Sequence, residues 1–261
     1  MFSKRNISVL SVLVIVSIGG FFLYKRQQTL PNPTPKVGVT YNTPDEKPSD
    51  NQTNTSTANS STGKTNSDVS NTIPASLLIK VPFTTQAPTA NWDELHNEAC
   101  EETTAIMANA YFNKIPNLTA ETVEKEIAKL TEWQDTNQGF HLDQTSLEVA
   151  KMIELVYGLK TELKPLEENT IKKALTENKL VLVSFNGRLL KNPHFKSPGP
   201  IHHMLVITGW NADNFITNDP GTKFGENYQY KYETLYSAAA DWDHTTNTVD
   251  ETKKELIIIS K

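Results

Sequence analysis

One cysteine is the side chain in this sequence best suited to nucleophilic chemistry. Cys100 is the only cysteine among 261 residues, so it has no partner for an internal disulfide. It stands where an apolar helical pattern begins, and a helix N-terminus offers free backbone N–H groups and a dipole that favour a thiolate. Glu101 and Glu102 follow directly; they suit a first helical turn but would oppose a thiolate if they pointed towards the sulfur.

Three residues elsewhere in the chain could complete a catalytic set with this thiol. His203 opens one apolar run, and Asp219 ends the next. A cysteine, a histidine and an aspartate that are far apart in sequence but close in space can act as nucleophile, base and orienting group. Gln86, upstream of the cysteine, could donate its side-chain NH₂ to an oxyanion, with the backbone N–H of Cys100 as the second donor.

Each candidate also has an ordinary structural explanation. A lone cysteine is often a small buried hydrophobic residue, and an aspartate before Pro-Gly is a common turn residue. His202 precedes His203, and because side chains alternate across a strand, only one of the two rings can face Cys100. His194, His202, His203 and Asp219 lack the spacing of zinc sites, so we expect no metal and no cofactor.

The first segment predicts a membrane anchor. Lys4 and Arg5 precede an uncharged stretch from Ile7 to Tyr24, which Lys25 closes. This length is close to the minimum for a membrane span, which needs about 17–25 residues. A cleaved signal peptide is the alternative, but large apolar residues follow Gly19-Gly20 and make a poor cleavage site. We expect residues 1–28 to be an uncleaved signal anchor forming one transmembrane helix.

The next segment, residues 29–76, is rich in Pro, Thr, Asn and Ser and predicts a disordered linker. Such a segment after an anchor is typical of a spacer that lifts a domain off a membrane. The flanking positive charges are nearly balanced and do not set the orientation. Because of the linker, we expect a single-pass protein of the cell membrane whose C-terminal part is extracytoplasmic. The net charge of −5 and the pI of about 5.7 give no sign of nucleic-acid binding.

Residues 77–261 are predicted to fold as one domain, with helices first and strands later. This order favours an α+β fold with an antiparallel sheet over alternating βαβ units. The loop at 186–200 runs directly into the histidine strand and is expected to border the cleft, as a specificity loop or a lid. Helices are predicted at 98–111, 121–130 (capped by Thr119), 144–157 (capped by Asp143 and ended by Gly158), 171–177 and 232–242, and strands at 77–81, 180–185, 204–208, 214–217 and 256–260.

Four ordered motifs of the chain carry a family resemblance. They are Val81-Pro82-Phe83-Thr84-Thr85-Gln86-Ala87-Pro88, Cys100-Glu101-Glu102, His203-x-x-Val206-x-x-Gly209-Trp210 and Asn218-Asp219-Pro220-Gly221. They resemble the double-glycine (bacteriocin-leader) peptidase-like family of cysteine peptidases, which belongs to the papain-like superfamily. Gly221 to Tyr228 and Asp241-Trp242 also resemble a stand-alone, membrane-anchored bacterial subgroup. Many members carry Gly-Pro after the cysteine, where this chain has two glutamates.

The resemblance implies a papain-like fold in which the nucleophile helix packs on a C-terminal antiparallel sheet. It implies Cys100 as nucleophile, His203 as base, Asp219 as the orienting residue and Gln86 in the oxyanion hole. The expected function is a membrane-tethered, extracytoplasmic cysteine peptidase that hydrolyses peptide or amide bonds of a peptide or protein substrate through an acyl-thioester. Two alternatives stay open: a peptidoglycan amidase or endopeptidase, and a non-catalytic surface-binding module on the same fold.

Overall fold

The computed structural model describes residues 73–261. The predicted signal anchor at 1–28 and the linker as far as residue 72 lie outside the described residues, so the predicted division of the chain stays a prediction. From residue 73 onward, no helix combines the length and the apolar character that a membrane crossing requires.

The described part of the chain places most of its helices before most of its strands. The helices are α1 (Glu94–Asn97), α2 (Cys100–Phe112), α3 (Ala120–Asn137), α4 (Ser146–Tyr157), α5 (Glu168–Thr176) and α6 (Tyr232–Ala238). The strands are β1 (Leu77–Leu78), β2 (Lys160–Pro165), β3 (Leu180–Asn186), β4 (His202–Trp210), β5 (Asn214–Asn218), β6 (Tyr228–Lys231), β7 (Asp241–Asp243), β8 (Thr248–Asp250) and β9 (Glu255–Ser260).

The strands form a seven-stranded sheet in the order β2-β9-β3-β4-β5-β6, with β1 added beside β4, and a separate β7-β8 pair. All of these pairings are antiparallel, which confirms the predicted α+β class with an antiparallel sheet. Every residue of β4 is buried. Strand β4 is therefore the centre of the core, and its apolar run from Met204 to Ile207 explains that position.

The antiparallel pairing of β4 with β5 brings two distant parts of the sequence to one end of the sheet. Val206 of β4 is opposite Asn218 of β5. Because neighbouring antiparallel strands run in opposite directions, the beginning of β4 lies beside the end of β5. His203, near the start of β4, and Asp219, directly after β5, thus share one edge.

Helix α2 packs against β4, and ten of its thirteen residues are buried, from Cys100 to Ala108 and at Ala110. The small and apolar residues from Ala105 onward suit this burial on several sides, whereas the buried first turn is polar and contains Glu101 and Glu102. Its first residue is Cys100, so the register of the helix sets the sulfur at the N-terminal turn beside the sheet, as the sequence predicted.

Helix α4 shows how local signals define an element. The side chain of Thr145 caps it, Glu148 completes a capping box, and Gly158 ends it in the left-handed conformation with φ of 66°. The predicted end at Gly158 is confirmed, whereas the predicted cap, Asp143, is wrong. Asp143 has φ of 46° and turns its carboxylate towards His202, with 3.4 Å between Oδ1 and Nδ1.

Other elements differ from the prediction for identifiable reasons. The predicted helix at 232–242 ends at Ala238, because the chain then turns into β7 at Asp241. Strand β2 has an exposed, charged sequence (Lys-Thr-Glu-Leu-Lys-Pro) and pairs on one side only, with β9, so it has no apolar alternation to reveal it. The predicted strand at 77–81 is reduced to Leu77–Leu78.

Candidate active site

The thiol of Cys100 is buried, with 4% of the residue exposed. Its Sγ donates a hydrogen bond to Oε2 of Glu101 at 2.9 Å. The backbone N–H of Met204, the residue after His203 on β4, lies near enough to the same sulfur to favour its ionised form. The sulfur therefore lies between the first turn of α2 and the start of β4.

Burial raises the pKa of the Cys100 thiol well above its usual range, and the charge of Glu101, its hydrogen bond and the charge of Glu102 raise it further. The N–H of Met204 acts in the opposite direction but does not outweigh them. The sequence left open whether the glutamates after Cys100 would point towards the sulfur and oppose a thiolate, and in the structure Glu101 does point towards it. A buried site with an adjacent carboxylate penalises a second negative charge more than the helix dipole stabilises it.

The carboxylate of Glu101 belongs to a buried ion pair. Its Oε1 accepts a hydrogen bond from the backbone N–H of Gln144 at 3.0 Å and lies 3.1 Å from Nδ1 of His202. The contact with His202 is a short ion pair and not an aligned hydrogen bond. Although burial opposes ionisation of Glu101, the positive charge of His202 lowers the pKa of its carboxyl below the usual value.

The same pairing keeps His202 charged. Burial opposes its positive charge, but the charge of Glu101 and contacts with Glu101 and Asp143 raise the pKa of His202 to about 10. Its Nε2 is 2.6 Å from the Oγ of Ser184, and its ring stands 5.6 Å from that of Trp242. His202 is thus enclosed on the face of β4 that carries Glu101.

Two further glutamates lie close to this pair. Burial raises the pKa of Glu102 well above its usual range, and the charge of Glu101 adds to the effect. Within the described residues, neither carboxylate oxygen of Glu102 has a hydrogen-bond partner. Burial, then the charges of Asp143 and Glu101, raise the pKa of Glu98 to about 7.

His203 and Asp219 form a second, separate pair. Nε2 of His203 is 2.7 Å from Oδ1 of Asp219, which also accepts the backbone N–H of Gly221 at 3.0 Å. The other oxygen, Oδ2, accepts from the Nδ2 of Asn192 at 3.0 Å and from the hydroxyl of Tyr230 at 2.7 Å. Although burial opposes ionisation of Asp219, the charge of His203 and these donors lower the pKa of its carboxyl.

Two glycines let the backbone approach this pair closely. A Cβ on Gly221 would lie 2.9 Å from Cε1 of His203 and 2.8 Å from Cε1 of Phe195, and a Cβ on Gly225 would overlap the carbonyl oxygen of Asp219. The glycines that follow Asp219 therefore allow the turn to pack closely against His203, Phe195 and Asp219. Only glycine fits at these two positions without a shift of the neighbours.

The loop at 186–200 contacts both His203 and Asp219. Asn192 binds Asp219, and the ring of Phe195 stands edge-on to the ring of His203, with 5.1 Å between centroids. Tyr230 also donates to Asp219, and Asn192 also binds the Tyr230 hydroxyl at 2.7 Å. The expected role of this loop in specificity or as a lid stays a prediction. The structure shows that Asn192 and Phe195 contact the pair of His203 and Asp219.

Gln86 is buried and ties together three segments. Its backbone N–H donates to the carbonyl of Pro220 at 3.0 Å, and its Nε2 donates to the carbonyls of His96 at 2.8 Å and Asn97 at 3.0 Å. Both amide hydrogens are therefore engaged at the end of α1. Its role as an oxyanion donor stays a prediction, because such a donation requires one of these bonds to break.

The structure brings His203 and Asp219 into contact and places Cys100 beside Met204, the residue after His203 on β4. The thiol hydrogen goes to Glu101, and within residues 73–261 the Nδ1 of His203 makes no hydrogen bond. The sequence pointed to Glu101 and His202 only as neighbours of the candidates, and nothing in it marked Asn192 or Tyr230. Among the described residues, no group of three or more His, Cys, Asp or Glu side chains is arranged to hold a metal ion.

Two solved structures are similar to this chain. A protein from Bacillus anthracis described as a C39-like peptidase is 12% identical, with a TM-score of 0.46, and the match covers 70% of this chain and 98% of that one. A double glycine motif protease from an AMS/PCAT transporter, in complex with the leader peptide, is 16% identical, with a TM-score of 0.37, and the match covers 70% and 92%. No curated protein matches this chain.

The family model of the Peptidase_C39 like family matches residues 78–249. This match spans more than half of the chain and contains Gln86, Cys100, His203 and Asp219. Together with the helices and the antiparallel sheet, it confirms the predicted papain-like α+β fold and supports a function of the cysteine-peptidase type. The chain belongs to the Peptidase_C39 like family.

Proposed function

We propose that this protein is a membrane-tethered, extracytoplasmic cysteine peptidase in which Cys100, His203 and Asp219 act together on a peptide or protein substrate. The observation that carries the proposal is the buried pair of His203 and Asp219, joined at 2.7 Å at the end of the sheet where Cys100 lies. Because Asp219 holds the Nε2 side of the ring, the free Nδ1 is the nitrogen that would take the thiol proton.

The reaction begins with transfer of the Sγ proton of Cys100 to Nδ1 of His203. The sulfur electron pair then forms a C–S bond with the substrate carbonyl carbon, and the carbonyl π pair moves to the oxygen. When this intermediate collapses, the C–N bond breaks, the amine leaves with the proton from His203, and an acyl-thioester remains. Water, deprotonated by His203, attacks the thioester, which releases the acid and restores the thiol.

Stabilisation of the oxyanion would come from the N-terminal turn of α2. The N–H of Cys100 lies in the first turn, where backbone amides have no intrahelical acceptor. Gln86 would be the second donor, after its Nε2 releases the carbonyl of His96 or Asn97. Oxyanion donors of this kind contribute about 10²–10³ in kcat when removed one at a time.

The test of this chemistry uses the full-length protein and a library of unmodified peptides from a digested proteome, with new termini identified by mass spectrometry. Wild type should produce new termini, and Cys100→Ala and His203→Ala should not. His244→Ala is the matched control, because His244 lies between β7 and β8 and pairs with Glu148 at 2.9 Å, outside both the pair and the 186–200 loop. Cleavage by the Cys100→Ala protein would overturn the assignment of the nucleophile.

The membrane location is proposed from the apolar stretch between Ile7 and Tyr24 and the linker that follows it. Cells that express the full chain should retain it in the membrane fraction after a carbonate wash. A protease added to intact cells should then remove residues 77–261. Release of the chain by carbonate, or protection of this part from the protease, would contradict the proposed location.

A further inference from the structure

A buried ion pair lies beside the proposed nucleophile and has no part in the Cys–His–Asp scheme. Glu101 takes the hydrogen bond of the Cys100 thiol at 2.9 Å, and His202 stands 3.1 Å from the other oxygen of the same carboxylate. We propose that Glu101 is a positioning residue that keeps Cys100 as a resting thiol, and that His202 holds Glu101 in this role. The inference rests on the proposed function, in which Cys100 is the nucleophile.

The position of Glu101 is fixed from three directions. Its backbone belongs to the first turn of α2, its Oε1 is bound by the N–H of Gln144 in the loop before α4, and His202 approaches from β4. The side chains of Glu101 and His202 are each 1% exposed. A carboxylate held in this way has little freedom to leave the thiol, and removing its counter-charge would leave an unpaired buried charge.

Carboxyl groups surround the sulfur and the Glu101–His202 pair. Glu101 and Glu102 of α2 lie next to the sulfur. Glu98 from the turn before α2 and Asp143 from the loop before α4 lie near Glu101 and His202, and His202 contributes the positive charge from β4. His203 is engaged by Asp219 through its Nε2. Among these groups only Glu101 both carries a charge next to the sulfur and accepts its hydrogen bond.

This arrangement gives the resting enzyme an unreactive sulfur. Oxidants and alkylating agents react with the thiolate and not with the thiol, so a thiol bound to a carboxylate resists them. Cleavage would then require the Sγ–H to turn from Glu101 to Nδ1 of His203 when substrate fills the site. Glu101 thereby separates a protected resting state from the reacting state.

Alkylation of the full-length protein by iodoacetamide across a pH series tests this role, because Cys100 is the only thiol and the label reports it alone. Glu101→Gln keeps the size of the side chain but removes its charge. It should lower the apparent pKa of the thiol and speed alkylation near neutral pH by about tenfold or more, which is the factor for each unit of pKa.

Glu102→Gln is the matched control. Glu102 is the next residue of the same turn and equally buried, but it accepts no hydrogen bond from the thiol. We expect a clearly smaller acceleration of alkylation from this variant than from Glu101→Gln. An unchanged or slower alkylation rate in Glu101→Gln would overturn the proposal. Equal acceleration in both variants would also overturn it, because it would indicate that each substitution loosens the packing around the thiol. A urea-unfolded sample provides the rate of an ordinary thiol.

A measurement on wild type keeps the proposal testable if Glu101→Gln does not fold. The infrared S–H stretching band of the single thiol should be present near neutral pH and shifted to lower frequency than in the unfolded chain, as a hydrogen bond to a carboxylate requires. A missing band, which means a thiolate, or an unshifted band would contradict the role of Glu101. Neither measurement uses a peptide substrate, so failure of the inference is distinct from failure to cleave peptides.

Discussion

The hydroxyl of Tyr230 donates a hydrogen bond to Oδ2 of Asp219 at 2.7 Å, on the side of the carboxylate opposite His203. Asn192 donates to the same oxygen at 3.0 Å. A buried carboxylate whose two oxygens are both bound has one orientation. Asp219 can therefore orient the His203 ring with little freedom of its own.

Tyr230→Phe removes one of these donors and should lower kcat/KM for peptide cleavage about tenfold to a hundredfold, which corresponds to about 1.5–3 kcal/mol for a hydrogen bond to a charged group. The loss should fall on kcat, because Tyr230 is buried behind the pair and binds Asp219. Tyr228→Phe is the control, since the Tyr228 ring stacks on Tyr230 at 4.8 Å but its hydroxyl does not bind Asp219. Equal losses in the two variants would point to packing in place of orientation.

Gly221→Ala should displace the histidine. The added Cβ would lie 2.9 Å from Cε1 of His203, so the ring or the turn must move. A misplacement of about 1 Å in a reacting group costs about 10²-fold in rate, and we expect a loss of kcat/KM of this size.

Gly158→Ala separates this effect from general destabilisation. Gly158 has φ of 66° but open space around its Cα, so alanine there adds backbone strain without a clash. It should lower the midpoint of urea unfolding and leave the rate of peptide cleavage unchanged. If Gly221→Ala retains wild-type kcat/KM, the close approach to His203 has no functional importance.

Gln86→Leu should destabilise the fold by about 1–3 kcal/mol, because it leaves the buried carbonyl of His96 and the carbonyl of Asn97 without this donor. Urea unfolding of the full chain measures this change. The catalytic prediction is separate. If Gln86 also donates to the oxyanion, Gln86→Leu should lower kcat by about 10²–10³-fold with little change in KM. Loss of stability with an unchanged kcat would assign Gln86 a structural role only.

The surroundings of His96 predict that the free energy of unfolding depends on pH. It lies between two carboxylates, with Nδ1 2.7 Å from Asp93 and Nε2 2.7 Å from Glu124. Burial opposes its positive charge, but the hydrogen bonds and charges of the two carboxylates raise the pKa of His96 above its usual value. Because the folded-state pKa is the higher one, the stabilisation is complete below a pH of about 6.5 and is lost as the pH rises through the folded-state pKa.

His96→Gln should therefore lower the melting temperature more at a pH of about 5.5 than at a pH of about 9, where less of the wild-type His96 is protonated. His141→Gln is the control, because His141 forms a partly exposed pair with Asp135 at 2.9 Å, and surface pairs of this kind contribute little. A difference between wild type and His96→Gln that is the same at both pH values would contradict the prediction.

Local signals in the sequence were sufficient for the elements that they define. The start of α2 at Cys100, the cap of α3 by Thr119 and the end of α4 at Gly158 each depend on residues within one or two turns. The apolar runs of β3, β4, β5 and β9 were visible for the same reason, since a buried strand needs contiguous apolar residues. The α1 helix was missed because it is a single turn whose only local signal is the Asp93 cap, and the edge strand β2 was missed because it is exposed and has no apolar run.

The sequence by itself determined the residue types, their order and the family pattern that joins Cys100, His203 and Asp219. Only the tertiary structure decided which charges surround each of them. Glu101 meets His202, and Asp219 meets Asn192 and Tyr230, across strand pairings and loops that no local pattern encodes. Glu101 is adjacent to Cys100 in sequence, but Gln144 and His202, which hold its carboxylate, come from distant segments. For this reason only the tertiary structure decided that Glu101 points towards the sulfur and accepts the hydrogen bond of the thiol.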